Sequence, residues 1–215
     1  MTQTNSTECA VQEPENNVKQ QGSNVVDLLS LSENGATSQT LELIKIGEDD
    51  SLIVPFTARS VETVVHFCKE TEINGYVCCN GDGCVLCRIG KKQEPRLLLP
   101  VYVPMERLVK VLPLSRSFRP GALLPQILNV LKAETRSVVI VSRQNMRYVV
   151  ATRILPDDAD DGATQIRSFL EEWDAGRVDL TAVYQRIDNG HLAVCEGISQ
   201  AMRVLGIKDD KGGRV

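Results

Sequence analysis

Four cysteines, Cys78, Cys79, Cys84 and Cys87, fall within ten residues, with His66 and Cys68 just upstream. Thiolate sulfur and imidazole nitrogen are the ligands zinc favours, and a structural zinc takes four of them in a closed tetrahedron. Cys84 and Cys87 are spaced Cys-x-x-Cys, which lets both thiolates turn back on one ion, and Gly83 and Gly90 flank that turn to relieve its backbone crowding. A third ligand comes from Cys79 or Cys78, and a fourth from His66 or Cys68 on the preceding segment. Adjacent residues of an extended chain point to opposite sides, so only one of Cys78 and Cys79 is expected on the same ion. The preferred set is His66, Cys79, Cys84 and Cys87, with Cys68 and Cys78 as alternates. Buried free thiols or a redox pair are the competing reading. An iron–sulfur cluster held by four cysteines would leave His66 without a part.

Zinc chemistry of the hydrolytic kind needs an open coordination position and a base. The chain has no His-Glu-x-x-His, and no His-x-Glu followed by Pro-Cys-x-x-Cys. His191, the other histidine, follows Asn189-Gly190 and is expected to be solvated at a helix start. Cys195 reads as a small buried residue of that helix, and Cys9 as an incidental thiol. No catalytic residue is expected, and the metal, Zn2+, is expected to serve the fold.

The ligands must be carried by strands. Leu41–Ile46 and Leu52–Phe56 read as strands separated by the turn Glu48–Ser51, and Val61–Cys68, rich in β-branched residues, reads as another. On that strand His66 and Cys68 share a face. Gly75-Tyr76-Val77 leads into the cysteine loop. Arg96–Val103 and Leu108–Leu114 are two further extended segments. Leu123–Leu131 has helical spacing, with Pro125 tolerated in the first turn. Val138–Val141 and Tyr148–Ile154 read as paired strands around a turn at Arg143-Gln144-Asn145. Gln165–Trp173 and Leu192–Leu205 read as helices. The expected fold is mainly β with α: a small barrel carrying a zinc subdomain, plus C-terminal helices. Its parts are a disordered arm over 1–38 with a brief ordered patch at Val25–Leu31, a zinc-containing domain over 39–156, a helical extension over 157–207 that opens on the acidic turn Asp157–Asp161, and a flexible tail over 208–215.

Charge is distributed unevenly. The net value of -4 conceals a stretch from 88 to 153 with thirteen basic and three acidic residues, flanked by acidic ends. Positive charge gathered on one face suits a polyanion, because neutralising phosphates releases their counterions. Tyr76, Tyr102, Phe118 and Tyr148 lie in or beside this stretch, and exposed rings stack on bases. The residues expected at nucleic acid are Arg88, Lys91, Lys92, Arg96, Tyr102, Arg107, Lys110, Arg116, Arg119, Arg143, Arg147 and Tyr148, and Arg136 and Arg153 belong to the same basic run. No apolar run reaches the length of a membrane-spanning helix. The first residues lack the basic start and apolar stretch of a secretory signal. With clustered thiols, this points to a reducing, cytoplasmic setting and no membrane partner.

Taken together, Val65-His66-Phe67, the run from Cys79 to Gly90, and the strand Leu97–Val103 resemble phage and plasmid-type single-stranded DNA-binding proteins. These proteins carry a zinc subdomain inserted in an OB-fold barrel. The resemblance covers about residues 41–154. It implies that His66, Cys79, Cys84 and Cys87 hold one structural zinc. It further implies sequence-independent binding of single-stranded DNA in replication, recombination or repair. The acidic and helical C-terminal region would then meet replication or recombination proteins. A zinc-stabilised protein-interaction module in a larger assembly is the alternative, and a small zinc enzyme a more distant one.

Overall fold

The computed structural model describes residues 41–70, 72–133, 137–145, 147–154 and 162–207. The expected arm with its Val25–Leu31 patch, the acidic turn Asp157–Asp161, Arg136 and the tail 208–215 lie outside these residues. Among the described residues there are seven strands: β1 (Ser51–Pro55), β2 (Val61–Glu70), β3 (Ile73–Cys78), β4 (Glu94–Val103), β5 (Leu108–Ser115), β6 (Ser137–Gln144) and β7 (Arg147–Ile154). The helices are α1 (Val85–Arg88), α2 (Leu123–Lys132), α3 (Ala163–Asp174), α4 (Asn189–Val194) and α5 (Glu196–Val204), with a 3-10 turn at Leu180–Val183.

The strands form one open sheet in the order β3-β2-β4-β1-β6-β7, and every pairing between named strands is antiparallel. Arg96 faces Thr63 of β2 and Ser115 of β5, so β5 lies along the other edge of β4. The chain is thus mainly β with a few helices, as expected. Among the described residues no pairing closes the sheet on itself.

β4 explains the layering. Leu97, Leu99 and Val101 face one core with Leu112, Leu114, Val139, Val141 and the apolar side of α2. Leu98 and Tyr102 face a second core with Val109, Val111, Phe169 of α3, Leu180 and Tyr184. A strand buried on both faces needs apolar residues at consecutive positions, and this accounts for the run from Leu97 to Val103. A third core joins β2, β3 and α1 to α4 and α5: Cys68, Ile73, Val77, Val85 and Leu86 pack on Leu192, Ile198 and Met202. Burying each of the three larger helical side chains stabilises by about 1.5–3 kcal/mol. The C-terminal helices therefore complete the hairpin β2–β3.

Several local expectations shift. Gly75-Tyr76-Val77 belongs to a full strand, β3, paired with β2 from Val65↔Cys78 to Glu70↔Ile73. Leu41–Ile46 forms no strand; Leu43 makes a single parallel bridge to Val111. Arg143 and Gln144 remain in β6, and the hairpin turns at Asn145, whose positive φ suits asparagine. The expected helix Leu192–Leu205 is two helices, broken at Cys195, where the backbone is extended (φ -62, ψ 130). Among the described residues no helix is long and apolar enough to cross a membrane.

Gly162 caps α3 at φ +70, and a Cβ there would lie 2.4 Å from the Tyr102 ring. Gly176 has a similar φ of +72 but nothing within 4 Å of that position. Gly162→Ala should therefore combine left-handed strain with overpacking and cost about 2–4 kcal/mol. Gly176→Ala should cost only the strain, about 1–2 kcal/mol. Denaturant midpoints of the two variants check this; equal losses would contradict the close approach.

Candidate metal centre

His66 is brought to the site by the register of β2, and Cys79 by the end of β3, where its N–H donates to the Val64 carbonyl at 2.8 Å. Cys84 precedes the single turn α1, and Cys87 lies within it. The turn is tight: Cys84 N–H donates to Gly81 O at 3.1 Å, Gly90 N–H to Cys87 O at 3.0 Å, and Lys91 N–H to Leu86 O at 2.9 Å. Gly83 and Gly90, at φ 84 and 79, supply the left-handed residues this path requires.

The four expected ligand atoms converge, all lying within 4.8 Å of one another. Cys79 Sγ and Cys87 Sγ are 3.6 Å apart, and His66 Nε2 is 3.7 Å from Cys84 Sγ and 3.4 Å from Cys87 Sγ. A tetrahedron with zinc–sulfur bonds of about 2.3 Å and a zinc–nitrogen bond of about 2.0 Å has edges of roughly 3.5–3.8 Å. The cluster has the donor set and the size to hold a metal ion. Its second layer suits the same purpose. His66 Nδ1 sits 3.1 Å from the Lys92 carbonyl, which can only accept, so Nδ1 carries the proton and Nε2 turns a lone pair toward the thiols. Gln93 Nε2 donates to Cys87 Sγ at 3.1 Å.

The two alternates are elsewhere. Cys68 shares the His66 face of β2, but one two-residue step is about 7 Å along a strand, and its thiol is fully buried in the third core. Cys78 alternates to the opposite side of β3, where its thiol points at Thr181 O, 4.0 Å away. Burial raises the pKa of both thiols. Burial also pushes the Cys87 thiol up to about 11. For Cys84 burial is outweighed by backbone hydrogen bonds from the turn, and its thiol is held below the usual value. Ion binding must displace thiol protons, as at any thiolate site.

Two residues that sequence reasoning passed over complete the loop. Asn189 Oδ1 accepts the Val85 N–H at 3.1 Å and the Asn80 Nδ2 at 3.0 Å, while Asn189 Nδ2 donates to Gly83 O at 3.2 Å. It caps α1 from outside. The only signal for it was Asn-Gly at a helix start. Gln93 had no signal beyond following the cysteines. His191 is exposed and pairs with Asp188, as expected of a solvated helix start.

The expected nucleic-acid residues fall on several elements, and several of them meet carboxylates. Tyr102 is completely buried beneath Gly162, and is no base platform in this structure. Arg96 donates to Glu94 and to the Tyr76 hydroxyl, Lys91 pairs with Glu70, Arg116 with Glu62, and Lys110 with both Glu42 and Glu106. Arg88 and Arg107 lie at the end of α1 and in the β4–β5 turn, and Lys92 is exposed after the cysteine turn. Arg143, Arg147 and Tyr148 lie at the end of the β6–β7 hairpin, and Arg119 lies in the loop that meets this end at Gly121. Tyr148 N–H reaches Gly121 O at 3.4 Å, the Arg147 stem lies 3.6 Å from the Cβ position of Gly121, and Arg143 sits 6.0 Å from the Tyr148 ring centre.

Comparison of the chain with protein-family models, with curated proteins and with solved structures finds no match.

Replacing ligands one at a time tests the cluster. Cys84→Ser or His66→Ala should weaken zinc binding by more than the roughly 10–100-fold typical of an outer-shell change. Cys68→Ala and Cys78→Ala should each retain one ion per chain. Competition with a chromophoric chelator reads the difference, and metal loss in either of the last two variants would contradict the ligand set.

Proposed function

We propose that this protein binds single-stranded DNA without catalysis or base-specific readout, with zinc as a structural ion at His66, Cys79, Cys84 and Cys87. The observation that carries the reading is the basic end of the β6–β7 hairpin. Between Arg107 and Ile154 the sequence has nine basic residues and one acidic residue, Glu134. Arg119 and Arg147 make no ion pair among the described residues. Phe118, in the adjoining loop, is 69% exposed, and Tyr148 is half-buried. Cations beside accessible rings are the elements that single strands need: charge for phosphates and flat faces for bases.

The strand order supports an OB-like reading of one part of the sheet. β1 pairs with both β4 and β6, β4 pairs with β5, β6 pairs with β7, and α2 lies between β5 and β6 against their common core. Those five strands and one helix fit a partly open five-stranded barrel. The hairpin β2–β3 with its cysteine turn then stands as an insertion between β1 and β4, as the resemblance to zinc-containing single-stranded DNA-binding proteins implies. Zinc contributes folding energy and loop position in this reading. A protein-interaction module is favoured by one separate feature: β7 is a sheet edge on which Val149 and Ile154 are exposed.

Fluorescent oligonucleotide titrations across a salt series test the proposal. Each phosphate contact contributes about 0.7 to the salt slope of a single strand, so Arg147→Ala should lower the slope by about that amount. Phe118→Ala should cost about 1–3 kcal/mol if a base stacks there. Lys110→Ala, which removes a charge already held by two carboxylates, should leave affinity near that of the parent. Binding that is absent, or unaffected by salt, overturns the reading and leaves the β7 edge as the surface to pursue.

A further inference from the structure

We infer that metal occupancy of the cysteine turn is what docks the carboxy-terminal segment, from Gln185 to Ile207, on the hairpin β2–β3. The inference rests on a metal at His66, Cys79, Cys84 and Cys87. α1 has four residues, α4 six and α5 nine. Isolated helices this short are not stable in water. Each therefore depends on what it packs against, and here they depend on one another. Val85 and Leu86 of α1 supply part of the apolar bed for Leu192, Ile198 and Met202.

The polar contacts join the same two segments. Asn80 Nδ2 donates to Ile187 O at 2.9 Å, and Asn189 bonds at once to Asn80, to Gly83 O and to the Val85 N–H. Gln185 O accepts the Cys78 N–H at 2.9 Å, one residue before the first cysteine ligand. Asn80, Gly83 and Val85 all lie between or beside Cys79 and Cys84, so their positions are those the ligands impose. Without an ion nothing stronger than hydrogen bonds joins the four ligand side chains, and the loop between Cys79 and Cys84 is held by its glycine-bearing turns and the hydrogen bonds of Asn80 and Asn189. Freed, it withdraws the partners of Asn189 and part of the apolar bed together. The core around α2 and β6 shares no residue with this cluster and is left intact. Coupling of this kind is reciprocal: an ion that docks the helices is held more tightly by docked helices.

Hydrogen–deuterium exchange on the full zinc-loaded chain, before and after chelation, tests the coupling. Amides of α4 and α5 should exchange at least about tenfold faster once zinc is removed, within the range of typical coupling factors. They should recover on zinc addition, while those of Val138–Val141 in β6 stay unchanged. Asn189→Ala keeps every ligand and should release zinc to a chelator about tenfold faster or more, as outer-shell losses do. Zinc binding with α4–α5 exchange unaltered by chelation overturns the inference alone, as does loss of protection across β6 as well, which marks global unfolding. Release from Asn189→Ala at the parent rate also overturns it. A chain that takes up no zinc overturns the metal reading and the inference together.

Discussion

The constraint on which the structure turns is the double burial of β4. It is paired along both edges and packed on both faces, so no side of it is available to water or to a ligand over most of its length. Three consequences follow. The sheet must carry two cores. Helices must cover the face that holds Leu98 and Tyr102. Charge is pushed to strand ends and hairpin tips, where Arg143 and Arg147 are found. Tyr102 illustrates the force of the constraint, since an aromatic residue in a basic stretch becomes an interior residue once α3 lies over its strand.

The cysteine turn obeys a different rule. Between Cys79 and Cys84 its residues are exposed and small, polar or glycine, so little hydrophobic burial shapes that stretch, whereas Val85 and Leu86 just after it are buried in the third core. Geometry there is dictated by convergence of a few donor atoms, with the His66–Lys92 and Asn189 contacts fixing the directions from which they arrive. The hairpin β2–β3 thus depends both on the area it buries against α4 and α5 and on these specific bonds.

Much of this was legible in the sequence, for reasons that can be stated. Strands β1, β2, β4, β5, β6 and β7 show as apolar or β-branched runs because their environment is apolar on at least one side, and α2 shows because its apolar residues repeat at the helical period. The convergence of His66, Cys79, Cys84 and Cys87 was legible because cysteine density is chemically conspicuous and because strand alternation separates Cys78 from Cys79. The hidden parts are of another kind. β3 is short and contains Gly75, so its propensity is weak and its pairing with β2 decides it. The break at Cys195 has no proline or glycine at the position itself, and the nearest glycine, Gly197, sits inside the second helix. Which cations are spent on carboxylates is a matter of tertiary neighbours: Lys110 meets Glu42 across a long stretch of chain, and composition does not record such a meeting.

The cluster is lopsided: His66 and Cys84 are sealed inside, whereas Cys79 and Cys87 are partly open to water. An ion held there would therefore meet solvent on one side alone: a competing thiol or chelator would reach the partly open sulfurs of Cys79 and Cys87, while the histidine and the inner cysteine lie behind them, out of its reach.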